Sequence, residues 1–217
     1  DEIEKYVYNG LLGAMKPSGD GFSYVNLFNG VKVNGEGWGW KFDDLHITCC
    51  NLNGPMGLAY IPFVAVMNSD AGPVVNLYNE GTIEMKSPGK KEIQLQIITD
   101  FPQSGKVQIK VKPAKKEKFT LKLRIPEWSK NTKVEVNGRV VDKVTPGTYL
   151  DILRKWGKQD KVEIVFDMRC KLIEAPKGIN RAGHNFLALK WGPIVLARDE
   201  NIDSNYNRPV RIVPDAE

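Results

Sequence analysis

The chain has 217 residues, 41% hydrophobic and 26% charged, a composition that supports one large packed domain or two smaller ones and excludes a disordered chain. Lys and Arg exceed Asp and Glu by enough to give a net charge of +5. The lysines stand singly on polar positions or in the run Lys115-Lys116-Glu117-Lys118; this reads as solvated surface, argues against a nucleic-acid partner, and no apolar run reaches the ~20 residues of a membrane span.

Residues 1–62 read as a helical unit. Ile3, Val7, Leu11 and Ala14/Met15 recur at helical spacing, with Glu2 and Glu4 in the first turn, as an amphipathic helix requires. Lys16-Pro17-Ser18-Gly19-Asp20-Gly21 ends it. Phe22–Asn26 reads as a short strand, and the Gly- and Trp-rich stretch 30–44 as a tightly bending loop. A second helix is expected with Asn53 as its cap and Pro55 in its first turn, stopped by Pro62. The chain opens at Asp1 with neither an initiator Met nor a signal peptide, the expectation for a piece of a longer protein; its compartment is not legible.

From residue 63 the hydrophobic period changes from 3.6 to 2. Phe63–Met67 and Val74–Tyr78 flank a turn at Asn68–Gly72, and Ile93/Leu95/Ile97, Val107/Ile109/Val111 and Phe119/Leu121/Leu123/Ile125 alternate with polar residues. Each is a strand with one buried face. Val134–Val140 reads as a hairpin, because Asn137-Gly138 accepts the positive φ values of a two-residue type I′ turn. Tyr149–Ile152 and Val162–Met168 add two strands. The spacing predicts an antiparallel β-sandwich over residues 63–172. Residues 173–217 hold a strand pair around Trp191-Gly192-Pro193 and read as a further β module or a tail. The expected fold class is mainly β.

The three cysteines, Cys49, Cys50 and Cys170, are no disulfide framework. Cys170 continues the inward register of Val162, Ile164, Phe166 and Met168 and reads as a core thiol. Cys49-Cys50 lies between the Gly/Trp loop and a helix start, where free N–H groups and the helix dipole lower a thiol's pKa. Composition leaves it open to an inert buried pair, a metal or nucleophile site, or a vicinal disulfide. A four-coordinate zinc site needs two more ligands; His46 and Glu36 are the nearest candidates, and neither closes it convincingly. Tyr24, Trp38 and Trp40 suit either a sugar-stacking platform or loop anchoring. Asp43 and Asp44 read as a solvated loop pair, and His184 as a surface or packing residue. No phosphate-cradling loop, nucleophile elbow, His-Glu-x-x-His or Ser/His/Asp set occurs.

Several segments, in order, carry a wider resemblance: Tyr6-Val7-Tyr8-Asn9-Gly10-Leu11-Leu12-Gly13, Gly21-Phe22-Ser23-Tyr24-Val25-Asn26, His46-Ile47-Thr48-Cys49-Cys50 with Asn53-Gly54, Phe119 to Trp128, Val136-Asn137-Gly138, and Trp191-Gly192-Pro193-Ile194-Val195. Together they resemble glycoside hydrolase family 127, the β-L-arabinofuranosidase family. The resemblance implies an (α/α)6 barrel followed by β-sandwich domains, with residues 1–62 as the barrel's last part. It implies that Cys49 is the nucleophile and that Cys49 and Cys50 bind zinc. A Glu and a Cys of a Glu-x-Cys motif complete the shell, and a separate Glu is the acid/base. It implies a sugar subsite near Tyr24, and it places His46 beside the pair. No Glu-x-Cys occurs here, since Met168-Arg169 precedes Cys170. The expectation is therefore the C-terminal part of a retaining glycosidase acting on L-arabinofuranosides or related plant glycosides. Its partners are a carbohydrate and an N-terminal helical barrel of the same protein, and the fragment alone is inactive with zinc weakly bound or absent. The alternative is a non-catalytic sandwich module that binds carbohydrate or packs on a catalytic partner, its cysteines structural.

Overall fold

The computed structural model describes residues 1–26, 32–33, 40–42, 45–174, 187–200 and 202–210, with the backbone alone at 33, 40–42 and 45–47. Ten strands between Val66 and Val165 build two sheets: β5 (Val66–Ser69), β6 (Gly72–Val75), β7 (Gly81–Lys86), β8 (Glu92–Thr99), β9 (Lys106–Pro113), β10 (Glu117–Ile125), β11 (Lys133–Val136), β12 (Arg139–Val140), β13 (Thr148–Trp156) and β14 (Asp160–Val165). One sheet has the order β13-β10-β6-β5, the other β12-β11-β14-β9-β8-β7.

The period-2 pattern decides which side of each strand is buried. Ile93, Leu95 and Ile97 on β8, Val107, Ile109 and Val111 on β9, and Phe119, Leu121, Leu123 and Ile125 on β10 all face one continuous core, which the hydrophobic effect stabilises by roughly 1.5–3 kcal/mol per fully buried side chain. Trp156 is fully buried, yet its indole N–H donates to the Phe119 carbonyl at 3.0 Å, so its polar edge is not left unpaired. Asn137 (φ 52°) and Gly138 (φ 76°) form the expected turn between β11 and β12.

Four boundaries differ from the sequence reading. One pairing in the sandwich is parallel, β6 with β10, because β10 returns to the β5–β6 hairpin only after the chain has visited the other sheet. Phe63 to Ala65 are helical, and the first strand starts at Val66. Strand β7 was not expected: it offers only Ile83 and Met85 as apolar positions, both half-buried at the sheet edge. Cys170 is exposed. The inward alternation runs on through Phe166 and the half-buried Met168 although residues 166–169 are not in a strand; it ends at Cys170, which opens β15 (Cys170–Glu174) in a separate three-stranded sheet with β16 (Leu187–Trp191) and β17 (Ile194–Leu196).

The N-terminal helical run comprises α1 (Glu2–Lys5), a π-helical stretch Tyr6–Leu11 and α2 (Leu12–Ala14). Its inward residues are Glu4, Val7 and Leu11, while Ile3 is exposed. The buried carboxylate has partners on the sandwich. Glu4 Oε1 accepts from Arg124 Nη2 at 2.5 Å and Oε2 from Trp128 Nε1 at 2.8 Å. Arg124 also donates from Nη1 to Asp1 Oδ1 and from Nε to the Asn76 carbonyl, each at 2.5 Å. Tyr78 OH donates to the Arg124 carbonyl at 2.6 Å. Beside this cluster Tyr8 packs edge-on to Phe101. Burial, reinforced by the Glu4 charge, pushes its phenol up to about 12. Asn9 ties the same helical run to the third sheet, donating to the Pro193 carbonyl at 2.9 Å and accepting from Val195 N at 2.6 Å.

Short strand pairs join β1 (Val25–Asn26) to β2 (Lys32–Val33) and β3 (Trp40–Phe42) to β4 (Leu45–Ile47). Helix α3 (Cys49–Ala65) follows and ends on the sandwich. Asn76 Nδ2 donates to the Val64 carbonyl at 2.9 Å, and the Asn76 and Leu77 amides donate to the Ala65 carbonyl at 2.8 and 3.1 Å. Among the described residues no helix is long and apolar enough to cross a membrane.

Candidate active site

Helix α3 begins six residues before the first-turn proline that the sequence suggested. Thr48 is the cap: its backbone is extended (φ −117°, ψ 158°) and its hydroxyl accepts from Asn51 N at 3.2 Å, which satisfies one of the donors a helix start leaves orphaned. Pro55 and Pro62 both lie inside the helix. Each forgoes one backbone hydrogen bond, a cost offset by ties at both ends of α3. Asn53 is therefore within the helix, and Pro62 does not stop it.

Cys49 and Cys50 are the first two residues of α3. They sit where backbone N–H groups lack intrahelical partners and the helix presents its positive pole. Both thiols are free, Cys49 exposed and Cys50 half-buried. Their sulfurs are 3.9 Å apart, which rules out a vicinal disulfide in this state. Burial pushes the Cys50 thiol up, and its contact with Cys49 adds to the rise.

The same separation bears on a metal. Two thiolates at the usual Zn–S length on a tetrahedral ion stand about 3.8 Å apart, so Cys49 and Cys50 fit two corners of such a site. Among the described residues no group of three His, Cys, Asp or Glu is placed to hold a metal. Cys170 lies on β15, and the thiol pair accounts for half a shell.

Two residues that the sequence reading did not single out fix this first turn. Asn51 Oδ1 accepts from Phe22 N at 2.8 Å, joining the segment after the N-terminal helix to α3. Gly54 is the buried residue of α3; a Cβ there would lie 2.4 Å from the Phe22 ring, so only glycine lets the ring seat. Further along, a Cβ on Gly57 would lie 3.1 Å from Leu11 Cδ1. The sequence signal for Asn51 is its place three residues after a threonine cap, where the backbone N–H donates to the cap and the side-chain carbonyl can accept from another segment.

Tyr24 follows Phe22 by two residues and is 38% exposed, so the Phe22 anchor brings its segment to the start of α3. The backbone of His46 pairs with Lys41 in the β3–β4 hairpin, whose last residue Ile47 leads directly into Thr48; its side chain, like that of Trp40, lies outside the described residues. Glu36, Trp38, Asp43, Asp44 and His184 also lie outside them. On its other side α3 presents Leu52, Met56, Tyr60 and Phe63, each more than half exposed, an apolar stripe at helical spacing.

Residues 73–168 match the family model described as the GH127 middle domain of β-L-arabinofuranosidases. The chain is similar to the solved GH127 β-L-arabinofuranosidase of Geobacillus stearothermophilus T6, at 29% identity and TM-score 0.70, over 88% of this chain and 31% of that one. A structure described as a GH127 β-arabinofuranosidase matches at 29% identity and TM-score 0.74 over 88% of this chain and 32% of that one. Another, described only as a glycoside hydrolase, matches at 27% identity and TM-score 0.70 over the same shares. The chain thus spans about a third of the length of the structures it matches. No curated protein matches it.

Proposed function

We propose that this chain, whose likeness to glycoside hydrolase family 127 covers 88% of its length, is the C-terminal portion of a retaining glycoside hydrolase with Cys49 as nucleophile. The observation that carries the reading is the pair Cys49-Cys50 at the capped first turn of α3. There the helix pole stabilises an anion, and the 3.9 Å sulfur separation suits two ligands on one ion. Cys49 and Cys50 are the residues that would hold zinc; when bound, it keeps thiols deprotonated.

The chemistry at Cys49 is a double displacement. The Cys49 thiolate attacks the anomeric carbon of an L-arabinofuranoside or related plant glycoside. The glycosidic C–O bond breaks as a carboxylic acid, supplied by a residue outside this chain, protonates the leaving oxygen. The resulting S-glycosyl bond is then cleaved by water, activated by the same carboxylate, and the thiolate is regenerated. The greater exposure of Cys49 suits it to meet the sugar, while Cys50, withdrawn from solvent, suits the ligand role. Tyr24, two residues after the Phe22 anchor, would offer a ring to the sugar, and His46, on the hairpin that leads into Thr48, would lie beside it. The apolar stripe Leu52, Met56, Tyr60 and Phe63 is the face on which further helices of the catalytic domain would pack.

The test is a Cys49→Ser exchange in the complete enzyme, assayed on a panel of aryl glycosides that includes the L-arabinofuranoside. Turnover is expected to vanish, and mass spectrometry of the unmodified enzyme trapped with a slow substrate should place the sugar on Cys49. Full activity in the Ser variant refutes the assignment. The 217-residue chain by itself is expected to bind zinc weakly and to turn over none of these substrates; tight stoichiometric zinc in it contradicts the half-shell.

A further inference from the structure

At the end of the sandwich farthest along β13, the β9–β10 loop and the β13–β14 turn enclose a cleft of about 620 Å³ whose charged lining is Lys115, Lys116, Arg154, Lys155, Lys158 and Asp160. Five cations thus face one carboxylate. That carboxylate is committed to the turn: Asp160 Oδ2 accepts from Gly157 N at 2.7 Å, and Oδ1 accepts from Asn137 Nδ2 at 2.7 Å and lies 3.4 Å from Arg154 Nη2. Arg154 is held in place over the Trp156 ring, 5.1 Å from its centroid.

Some sandwich lysines are matched with acids, as in Lys86–Glu92, Lys91–Glu117, Lys122–Asp151 and Lys161–Glu163, and the cleft is set apart by gathering several unmatched ones in one concave lining. Lys115, Lys116, Lys155 and Lys158 form no ion pair within the described residues, and all four are exposed. Lys155 stands directly opposite Lys118 across β13 and β10, a like-charge cross-strand pair that costs stability. A concave, uncompensated cluster of this kind focuses positive potential and attracts polyanions.

We propose that this cleft binds an acidic polysaccharide, with uronate carboxylates meeting the lysine ammonium groups. The choice of a sugar polyanion rests on the glycoside hydrolase reading above. It is favoured over single-stranded nucleic acid because stacking aromatic faces is the usual source of affinity for bases: the aromatic residue beside this cleft, Trp156, is fully buried. A polyuronate needs only charges spaced along a shallow groove, and it would tether the enzyme to an acidic plant-type polymer through residues other than those around Cys49.

Binding of the 217-residue chain to polygalacturonate, measured by affinity electrophoresis and titration calorimetry, tests this. The chain is expected to be retarded at low salt and released at high salt. Lys116→Glu/Lys158→Glu is expected to weaken binding about tenfold or more, and Lys116→Gln/Lys158→Gln by a smaller factor in the same direction. The control Lys130→Glu/Lys133→Glu, which makes the same charge change at other exposed positions, should stay within about twofold of the parent. Neutral arabinan is expected not to bind. Absence of polygalacturonate binding at low salt, equal losses in cleft and control variants, or tighter binding of single-stranded RNA would each overturn the proposal. Cys49→Ser is expected to leave polygalacturonate binding unchanged. Loss of turnover assigned to Cys49 and loss of polyanion binding assigned to the lysines are therefore separate results, and either can fail alone.

Discussion

The buried ion cluster between the N-terminal helical run and the sandwich predicts strong thermodynamic coupling between Glu4 and Arg124. Glu4 is 1% exposed and Arg124 7%, and the two are 2.5 Å apart. In Arg124→Met the Glu4 carboxylate keeps only the Trp128 indole. Removing one partner from a buried pair leaves an uncompensated charge and costs about 3–5 kcal/mol. In Glu4→Met the guanidinium keeps Asp1 and the Asn76 carbonyl, so a smaller loss of about 1–3 kcal/mol is expected. In the double variant no orphaned Glu4–Arg124 charge remains, but Asp1, the Asn76 carbonyl and the Trp128 indole each lose a partner, so a loss of about 2–5 kcal/mol remains. The double loss should therefore fall short of the summed single losses by about 2–3 kcal/mol. The assay is urea denaturation followed by circular dichroism. With a slope of roughly 2 kcal/mol per molar urea, Arg124→Met should lower the midpoint by about 1.5–2.5 M. Losses that add to within about 0.5 kcal/mol would show that the residues are energetically independent, and the clamp reasoning would fail.

Two glycines should respond to alanine with opposite signs: Gly54→Ala drives a Cβ into the Phe22 ring, whereas nothing lies within 4 Å of a Cβ on Gly13. Thermal denaturation should show a loss of about 1–3 kcal/mol for the first and a gain of about 0.5–1 kcal/mol for the second. Alkylation at neutral pH followed by peptide mapping should modify Cys49 before Cys50, because Cys50 is less exposed and burial holds its thiol protonated; equal rates would contradict the placement of the two sulfurs. Tyr8 ionises at about 12 against an ordinary value of 10.0. The folded state therefore holds this proton more tightly, and the stability it contributes is complete below pH 10 and falls as pH rises through about 12. Urea midpoints should decline across that window, and Tyr8→Phe should flatten the decline.

Legibility in the sequence followed how local each cause was. The alternation in β8, β9, β10 and β14 is written within each strand, and Asn137-Gly138 announces its own turn, so the sandwich was readable. Strand β7 was missed because an edge strand with Ile83 and Met85 half-buried carries too short a pattern. The start of α3 was misplaced because Pro55 is a strong local signal, whereas the real cap, Thr48, acts with Asn51 and with Phe22, which is 29 residues from Asn51. Glu4 took the inward place expected of Ile3 because its partner Arg124 is 120 residues away, beyond any windowed pattern. The thiol pair was visible as a motif; its capped setting and the 3.9 Å sulfur separation required the fold.

The clamp and the thiol pair are physically linked. Arg124 binds Glu4 through one edge of its guanidinium and the Asn76 carbonyl through Nε, and Asn76 in turn caps the C-terminal carbonyls of α3. Glu4 lies on the helical run that carries Leu11 onto Gly57 and leads through Ser23, whose amide donates to the Ala14 carbonyl at 2.8 Å, to Phe22 and its seat on Gly54. One sandwich arginine thus bears on both ends of α3, directly at its C-terminus and through the N-terminal helical run at the turn that presents Cys49. A helix that contains two prolines and exposes an apolar stripe has little to hold it in isolation. Its direction, and with it the direction of the Cys49 sulfur, is set by the sandwich behind it. Loosening Arg124 should therefore change the reactivity of Cys49 more than that of Cys170, which sits on a sheet that, among the described residues, only Asn9 ties by hydrogen bonds to the same helical run. Parallel rates at both thiols across the Arg124 variants would show instead that the brace ends at the sandwich surface.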